Sequence, residues 1–449
     1  MSETTNDGKI MNRWIVVFGA ILIQLCLGTI YAWSVFTKKL TMPVEEGGNY
    51  GFSAFKTGWI FSAGLATFAL VMLFAGRWQA KVGPRKVAAI GGVVLGAGYI
   101  LGGFLGKSFA LQLLCIGVIG GAGIGLAYVV PIAVGVKWFP DKKGLITGLA
   151  VAGFGFGATI WVKLAGSWFG GLLNNTALSE ALHLPSVQSV FVVYGIALLV
   201  LVLLGSIVMV NPPAGWKPAG WNPADVNNGK AVSGAVTMTA SEMVKTPQYW
   251  GLFLMFICSA LAGLMVIYCI RLFGIDSLQA NNVVSDAQTA GVIAGTAMAW
   301  YAILNGLGRI IWGTASDILG RKTALFLMCL FQGIMMLVFF HVGGTKTGLI
   351  VGACIIGFNF GGNFALFPAM AADFFGNKNV GSNYPWVFLA YGVAGIVGPQ
   401  LASYFKDHAV DVNAWKTPFM IAGIACLIAA VLGLLLKTPK SHSKAVSAK

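Results

Sequence analysis

Twelve apolar runs, each about 20 residues or longer, constrain the fold of this 449-residue chain more than any other feature. A helix of about 20 apolar residues spans the hydrocarbon core of a membrane. The hydrocarbon core offers the backbone no hydrogen-bond partners, and a helix satisfies its backbone groups internally. Only 10% of the residues are charged, whereas soluble domains average about 25%. We therefore predict an all-α integral membrane protein with twelve transmembrane helices. The predicted spans are residues 14–36, 55–76, 87–106, 109–136, 145–170, 189–210, 249–274, 288–315, 323–342, 347–371, 383–405 and 415–436.

The formal charge of +15 is spread unevenly over the predicted loops. If the N-terminus is inside, most Lys and Arg residues outside the spans fall on the inner side, which is the bias that orients membrane proteins. We therefore predict a multi-pass protein of a bacterial plasma (inner) membrane, with both termini in the cytoplasm and no nucleic-acid partner. The run 14–36 is too long for the apolar core of a signal peptide, so we expect it to be retained.

Landmarks of the first half recur in the second half at nearly one offset. Trp14 and Trp250 open the first span of each half and lie 236 residues apart, and Gly76 and Gly313 lie 237 residues apart. Six helices repeated in parallel are typical of transporters whose halves rock around a central site. We predict two pseudo-symmetric six-helix halves, a Pro- and Gly-rich cytoplasmic linker and a cytoplasmic tail. These segments are residues 1–210, 249–436, 211–248 and 437–449, respectively.

Two short loops carry related motifs, GRWQAKVGPRK at 76–86 and GTASDILGRK at 313–322. They resemble the cytoplasmic loop motif of the major facilitator superfamily, which implies that fold and a gating role for the motif. The first copy has Ala80 at the position of Asp317, so it lacks the acid that would form a gating ion pair in the first half. The motif residues are Gly76, Lys81, Gly83, Arg85, Gly313, Asp317, Gly320 and Arg321.

Three further stretches resemble the oxalate/formate antiporter family within that superfamily. They are KWFPDKKGLITG at 137–148, KTPQYW at 245–250 and NFGGNFALFPAM at 359–370. The resemblance covers nearly the whole chain. It implies transport of small carboxylates, and the site pattern is closest to that of bacterial monocarboxylate transporters of the lactate and pyruvate type.

Arg309, in the stretch ILNGLGRIIWG, places a cation deep in the eighth predicted span. It lies eight residues before Asp317, roughly 12 Å from the cytoplasmic end, which is too deep for easy snorkelling. All fourteen Asp and Glu residues fall outside the predicted spans. A charge at the centre of a helix is unfavourable by about 2.5–3.5 kcal/mol and marks a functional site by default.

Two interpretations of Arg309 stay open. In the first it is a structural residue, hydrogen-bonded to backbone carbonyl groups. In the second, which we favour, it faces a water-filled cavity and its counter-ion is the carboxylate of the substrate, which fits the planar guanidinium fork. Asn305 lies four residues earlier on the same helix face. Its amide therefore either binds the substrate or orients the guanidinium.

The family resemblance suggests how many carboxylates the substrate carries. In the oxalate transporters a lysine on the eleventh helix adds a second positive charge, and the matching residue here is Tyr391. One cation balances one carboxylate, so a monocarboxylate such as lactate, pyruvate or formate is expected rather than oxalate. Each aromatic residue taken singly is more often a packing residue. Positions that match the cavity aromatics of the family are Tyr128, Tyr31 and Phe360, and more weakly Phe154 and Phe388.

The sequence thus predicts a secondary active transporter of small monocarboxylates that works by alternating access. Proton-coupled symport is favoured, and carboxylate exchange of the oxalate/formate antiporter type stays open. A membrane-embedded enzyme is the remote alternative, because the histidine and acid residues supply no catalytic set near the spans. We expect no enzyme activity, no cofactor and no metal, and a monomer in the lipid bilayer. The seven cysteines lie in apolar runs without a CxxC pair, so no disulfide is expected.

Overall fold

The computed structural model describes residues 11–139, 143–213, 216, 218, 238–376 and 379–437. In these residues twelve helices are long and apolar enough to cross a membrane, which confirms the predicted all-α fold. Most of the predicted linker and tail, and residues 140–142 of the KWFPDKKG stretch, lie outside the described residues. The twelve helices, labelled α1 to α12 in chain order, are Arg13–Thr41, Ala54–Val82, Pro84–Leu105, Phe109–Gly135, Gly148–Gly166, Ser186–Ile207, Pro247–Ala280, Ala287–Leu319, Arg321–Val342, Lys346–Phe375, Ser382–Asp407 and Val412–Leu435.

Several helices continue beyond the apolar runs that predicted them. The helix α7 ends at Ala280 and α8 at Leu319, so Asp276 and Asp317 lie within helices, although both fall outside the predicted spans. Polar residues are tolerated there because a helix end that projects past the hydrocarbon core is in contact with water. Asp286 begins α8 by accepting a hydrogen bond from the Thr289 amide at 2.8 Å. The Thr289 side chain and amide together lower the pKa of this exposed carboxyl group.

The same helix pairings occur in both halves. The helix α3 packs on α6 as α9 packs on α12, and α2 packs on α4 as α8 packs on α10. Two long contacts then join the halves, α5 with α8 and α11 with α2. We call these two contacts the α5–α8 seam and the α2–α11 seam. This repeated pattern is the tertiary counterpart of the constant offset between sequence landmarks.

Hydrogen bonds join the two halves at the end opposite to the termini. We call that end the far face and the other end the terminal face. At the far face, Asp407 of α11 accepts hydrogen bonds from the amides of Ala54 and Phe55, both 2.8 Å long. A carboxylate is favourable there because the first turn of α2 has free N–H groups. Toward the terminal face, α2, α4 and α11 surround a cavity of about 320 Å³.

The two loop motifs make tight turns but use different partners. Gly83 and Gly320 have φ values of 92° and 84°, which glycine adopts without strain. In the second copy Arg321 forms ion pairs with Asp317 at 2.6 Å and Asp373 at 3.4 Å.

The first copy, with Ala80 in place of the acid, binds a helix end instead. Arg85 donates from Nε to the carbonyl of Ile207 at 2.7 Å. This carbonyl belongs to the last residue of α6, where the helix dipole favours a cation. Lys81 and Arg85 are exposed, whereas Gly76 lies at the cavity between α2, α4 and α11 and Gly313 lies against Ala365 of α10.

Candidate functional site

The six residues predicted to bind substrate come together at mid-depth between the halves. All of them are buried, and the most exposed is only 2% accessible. They come from α1, α4, α8, α10 and α11, so the two halves both contribute. They are Tyr31, Tyr128, Asn305, Arg309, Phe360 and Tyr391.

The Arg309 guanidinium donates three hydrogen bonds, one of which crosses to the other half. Its Nη1 donates to the carbonyl of Val151 on α5 at 2.7 Å, and its Nε and Nη2 donate to Asn305 Oδ1 at 3.2 and 3.0 Å. Asn305 therefore orients the guanidinium, which is one of the two roles predicted for it. A guanidinium has five N–H donors, so one on Nη1 and one on Nη2 remain outside these bonds. A carboxylate bound in a bidentate manner needs two.

Aromatic rings surround the cation. The Cζ atom of Arg309 lies 3.9 Å from the ring centre of Phe364 and 5.6 Å from that of Phe154. A cation over a ring face is attracted by the negative charge of that face. Sequence reasoning missed Phe364, the nearer ring. The signal was present, because Phe364 follows Phe360 by four residues and so lies on the same face of α10.

Tyr31 and Tyr391 close the site across the two halves. Their hydroxyl groups lie 2.9 Å apart. Tyr31 belongs to a short 3-10 turn, Gly28–Ala32, that interrupts α1. Gly28 allows this turn to approach α5, because a Cβ atom there would lie 2.2 Å from the Phe154 carbonyl oxygen.

Tyr128 and Tyr391 flank Phe388, an aromatic residue that matched the family only weakly. The Phe388 ring stacks on Tyr391 at 4.8 Å and on Tyr128 at 5.9 Å. The hydroxyl groups of Tyr31 and Tyr128 also lie close enough to Arg309 for electrostatic interaction. The site therefore combines one cation, neutral hydroxyl donors and an apolar wall, which suits a small organic anion.

The structure bears on both interpretations of Arg309 and corrects one of them. The expected water-filled cavity is wrong for this conformation, because the aromatic rings and the Tyr31–Tyr391 contact close over the guanidinium, which is 1% exposed. The structural alternative is present in part, since one backbone carbonyl, that of Val151, accepts from Arg309. Within the described parts of the chain, no Asp or Glu forms an ion pair with it. The described parts of the chain also contain no group of three or more His, Cys, Asp or Glu able to hold a metal ion.

Replacing Gly155 with alanine is expected to disturb this arrangement. A Cβ atom at Gly155 of α5 would lie 2.9 Å from Asn305 Oδ1 and 2.9 Å from the Gly306 amide. The α5–α8 seam would have to widen, so we expect loss of about 1–3 kcal/mol of stability and slower transport. Gly148→Ala is the matched control on the same helix, because its Cβ atom would meet Ile310 at an ordinary 3.8 Å. Thermal unfolding and transport of both variants check this, and equal effects would contradict it.

Known proteins resemble this chain over most of its length. The uncharacterized MFS-type transporter YhjX of Escherichia coli (strain K12) is 29% identical over 390 residues, which is 86% of each chain. The oxalate:formate antiporter of Oxalobacter formigenes is 26% identical and covers 95% of this chain and 92% of its own. The apicoplast pyruvate carrier 1 of Toxoplasma gondii is also 26% identical, over 90% of this chain and 84% of its own.

A solved structure supports the fold. A bacterial homologue of the human lysosomal transporter Spinster matches with a TM-score of 0.63 at 16% identity, over 94% of this chain and 96% of that one. The sequence model of the Major Facilitator Superfamily matches residues 13–297 and 283–449. Because both halves of the chain match that model and fold as twelve apolar helices, the protein belongs to the Major Facilitator Superfamily.

Proposed function

We propose that this transporter carries small monocarboxylates of the lactate, pyruvate or formate class, by proton-coupled symport. The observation that carries the proposal is Arg309, a buried cation held between the two halves and without an acidic partner among the described residues. Named relatives act on oxalate, formate and pyruvate, which are all small carboxylates. The superfamily consists of transporters, so the enzyme alternative is excluded.

The neutral residues around Arg309 support one carboxylate per substrate. Tyr391 lies nine residues into α11, about 14 Å from its start, and Arg309 lies ten residues from the end of α8, about 15 Å. Both therefore lie at a similar depth, and both contact Phe364. A phenol donates a hydrogen bond without adding charge. A second carboxylate in this site would stay unpaired and buried, which is unfavourable.

Substrate binding and alternating access are linked through the same atoms. The Arg309–Val151 and Tyr31–Tyr391 contacts join the halves at the centre and must break when the halves separate there. A substrate carboxylate can replace the Val151 carbonyl as the acceptor for Nη1. The charge bias of the loops supports a cytoplasmic terminal face and an outer far face in the plasma membrane of a bacterium.

The coupling proton has two routes through this site. A proton can travel with the substrate acid or through the tyrosine hydroxyl groups at the site, without an acidic side chain in the membrane. Exchange of two carboxylates is the second candidate, favoured by the oxalate:formate antiporter among the relatives.

The experiment is uptake of labelled lactate, pyruvate, formate and oxalate into proteoliposomes. We expect lactate, pyruvate or formate to be taken up faster than oxalate, and an inward proton gradient to drive accumulation. Uptake that requires internal carboxylate and ignores the proton gradient would replace symport by exchange. Absence of uptake of all four anions would overturn the proposed substrate class.

A further inference from the structure

A pair of cations, separate from Arg309, lies at the far face of the α5–α8 seam. Lys163, near the end of α5, and Arg271, on α7, line one small pocket that also includes Val35 of α1. The helices α1 and α5 belong to the first half and α7 and α8 to the second, so the pocket lies between the halves. Gly295 of α8 lines it too and lies about 21 Å along the helix from Arg309. The pocket is therefore separate from the central site.

Arg271 lies against two glycine residues of α8, Gly291 and Gly295. A Cβ atom added to Gly291 would lie 2.9 Å from its Nη2 and 3.3 Å from its Cζ, so the guanidinium lies directly against the α8 backbone. Its Nε is buried and without a hydrogen-bond partner in the described chain. A buried donor of a cation that stays unpaired is unfavourable, and an anion that enters the pocket would relieve this.

Lys163 makes its hydrogen bond to a neutral group. Its Nζ donates to the neutral hydroxyl group of Thr296 on α8 at 2.9 Å, across the seam. Across the described ranges, neither Lys163 nor Arg271 forms an ion pair with Asp or Glu.

The acids nearest to the pocket in sequence are engaged elsewhere. Asp276 lies five residues after Arg271 and so on another side of α7, where it pairs with Lys406 and accepts from Trp415 Nε1 at 2.9 Å. Asp286 accepts from the amide of Thr289 at the start of α8. The net charge of the pocket is therefore positive, from one cation on each half.

An oxyanion between the two cations would be attracted to both of them and would offset their mutual repulsion. In this closed conformation the pocket has a volume of only about 10 Å³, enough for about one water molecule. A carboxylate fits only when the halves part at the far face, which is the movement that opens the path to Arg309. We propose that Lys163 and Arg271 form a second carboxylate-binding site, which holds the substrate anion as it enters and leaves at the far face. This inference rests on the proposed function for its ligand class.

The test is transport kinetics with substrate on each side, in proteoliposomes of known protein orientation. The variants are Lys163→Met, Arg271→Gln and the two combined. For the combined variant we expect KM for lactate at the far face to rise about tenfold and to lose most of its salt dependence. KM for lactate at the terminal face should change less than twofold. Lys163→Arg keeps the charge and should keep the wild-type KM, and Lys107→Met, an exposed lysine at the far face, is the matched control.

An unchanged far-face KM in the combined variant would overturn the second site while leaving the central site untouched. Failure of the wild-type protein to transport any carboxylate would instead overturn the proposed function. A lipid phosphate group is the other source of an oxyanion, so the assay is repeated in vesicles with and without anionic lipid. A KM change confined to anionic vesicles would assign the pair to a lipid headgroup and reject the carboxylate site. If the combined variant does not fold, Lys163→Met alone decides, because its partly exposed side chain is removable without a large cavity.

Discussion

Arg309→Ala is expected to lose carboxylate transport by a factor of about 100 or more, while the protein still inserts in the membrane. Removing the partner of a buried, hydrogen-bonded charge weakens binding by about 2–5 kcal/mol. The variant removes the only cation among the six predicted substrate-binding residues and leaves a substrate carboxylate facing the Phe154 and Phe364 rings. Initial uptake rates in proteoliposomes, at equal protein content, measure the loss.

Arg309→Lys separates charge from shape in the same assay. It keeps a cation but loses the planar fork and the two bonds to Asn305, so we expect an intermediate rate. Because both variants could affect folding, size-exclusion chromatography and thermal unfolding accompany the uptake. Normal lactate transport by a well-folded Arg309→Ala protein would show that the substrate does not bind at this residue.

Tyr391→Lys is expected to shift selectivity toward oxalate. The hydroxyl group of Tyr391 contacts Tyr31, and its ring contacts Phe364, which lies against Arg309. A lysine there adds a second cation near Arg309. The two cations repel each other in the free protein, and the lysine can pair with the second carboxylate of a bound dianion. One added charge pair of about 1.4 kcal/mol corresponds to a tenfold change. We therefore expect the ratio of kcat/KM for oxalate to that for lactate to rise at least tenfold.

Tyr391→Phe is the control for the loss of the hydroxyl group. It removes the contact with Tyr31 but adds no charge, so the oxalate-to-lactate ratio should stay near that of the wild type. Competition of unlabelled oxalate with labelled lactate gives the ratio even where oxalate is transported slowly. An equal rise in both variants would show that charge at residue 391 does not select the substrate.

The sequence by itself determined the fold and the central cation. Twelve apolar runs of membrane-spanning length allow only helices, and a constant offset between landmarks predicts two repeated halves; the helix pairings agree with this. Arg309 was evident because a charge is rare in such a run. Helix ends were predicted less well, since the last turns of α7 and α8 extend past the apolar run into a polar environment where hydropathy gives no signal.

Only the tertiary structure decided what surrounds each cation. The Val151 carbonyl that accepts from Arg309 belongs to another helix of the other half, and backbone groups carry no sequence signature. In the sequence, Lys163 and Arg271 are two unrelated basic residues near helix ends, and packing places them in one pocket. The closed state of the site is likewise a property of how the halves meet. Composition and periodicity indicate whether a helix lies in lipid or in water. Which helices pack beside it depends on contacts between residues far apart in the chain.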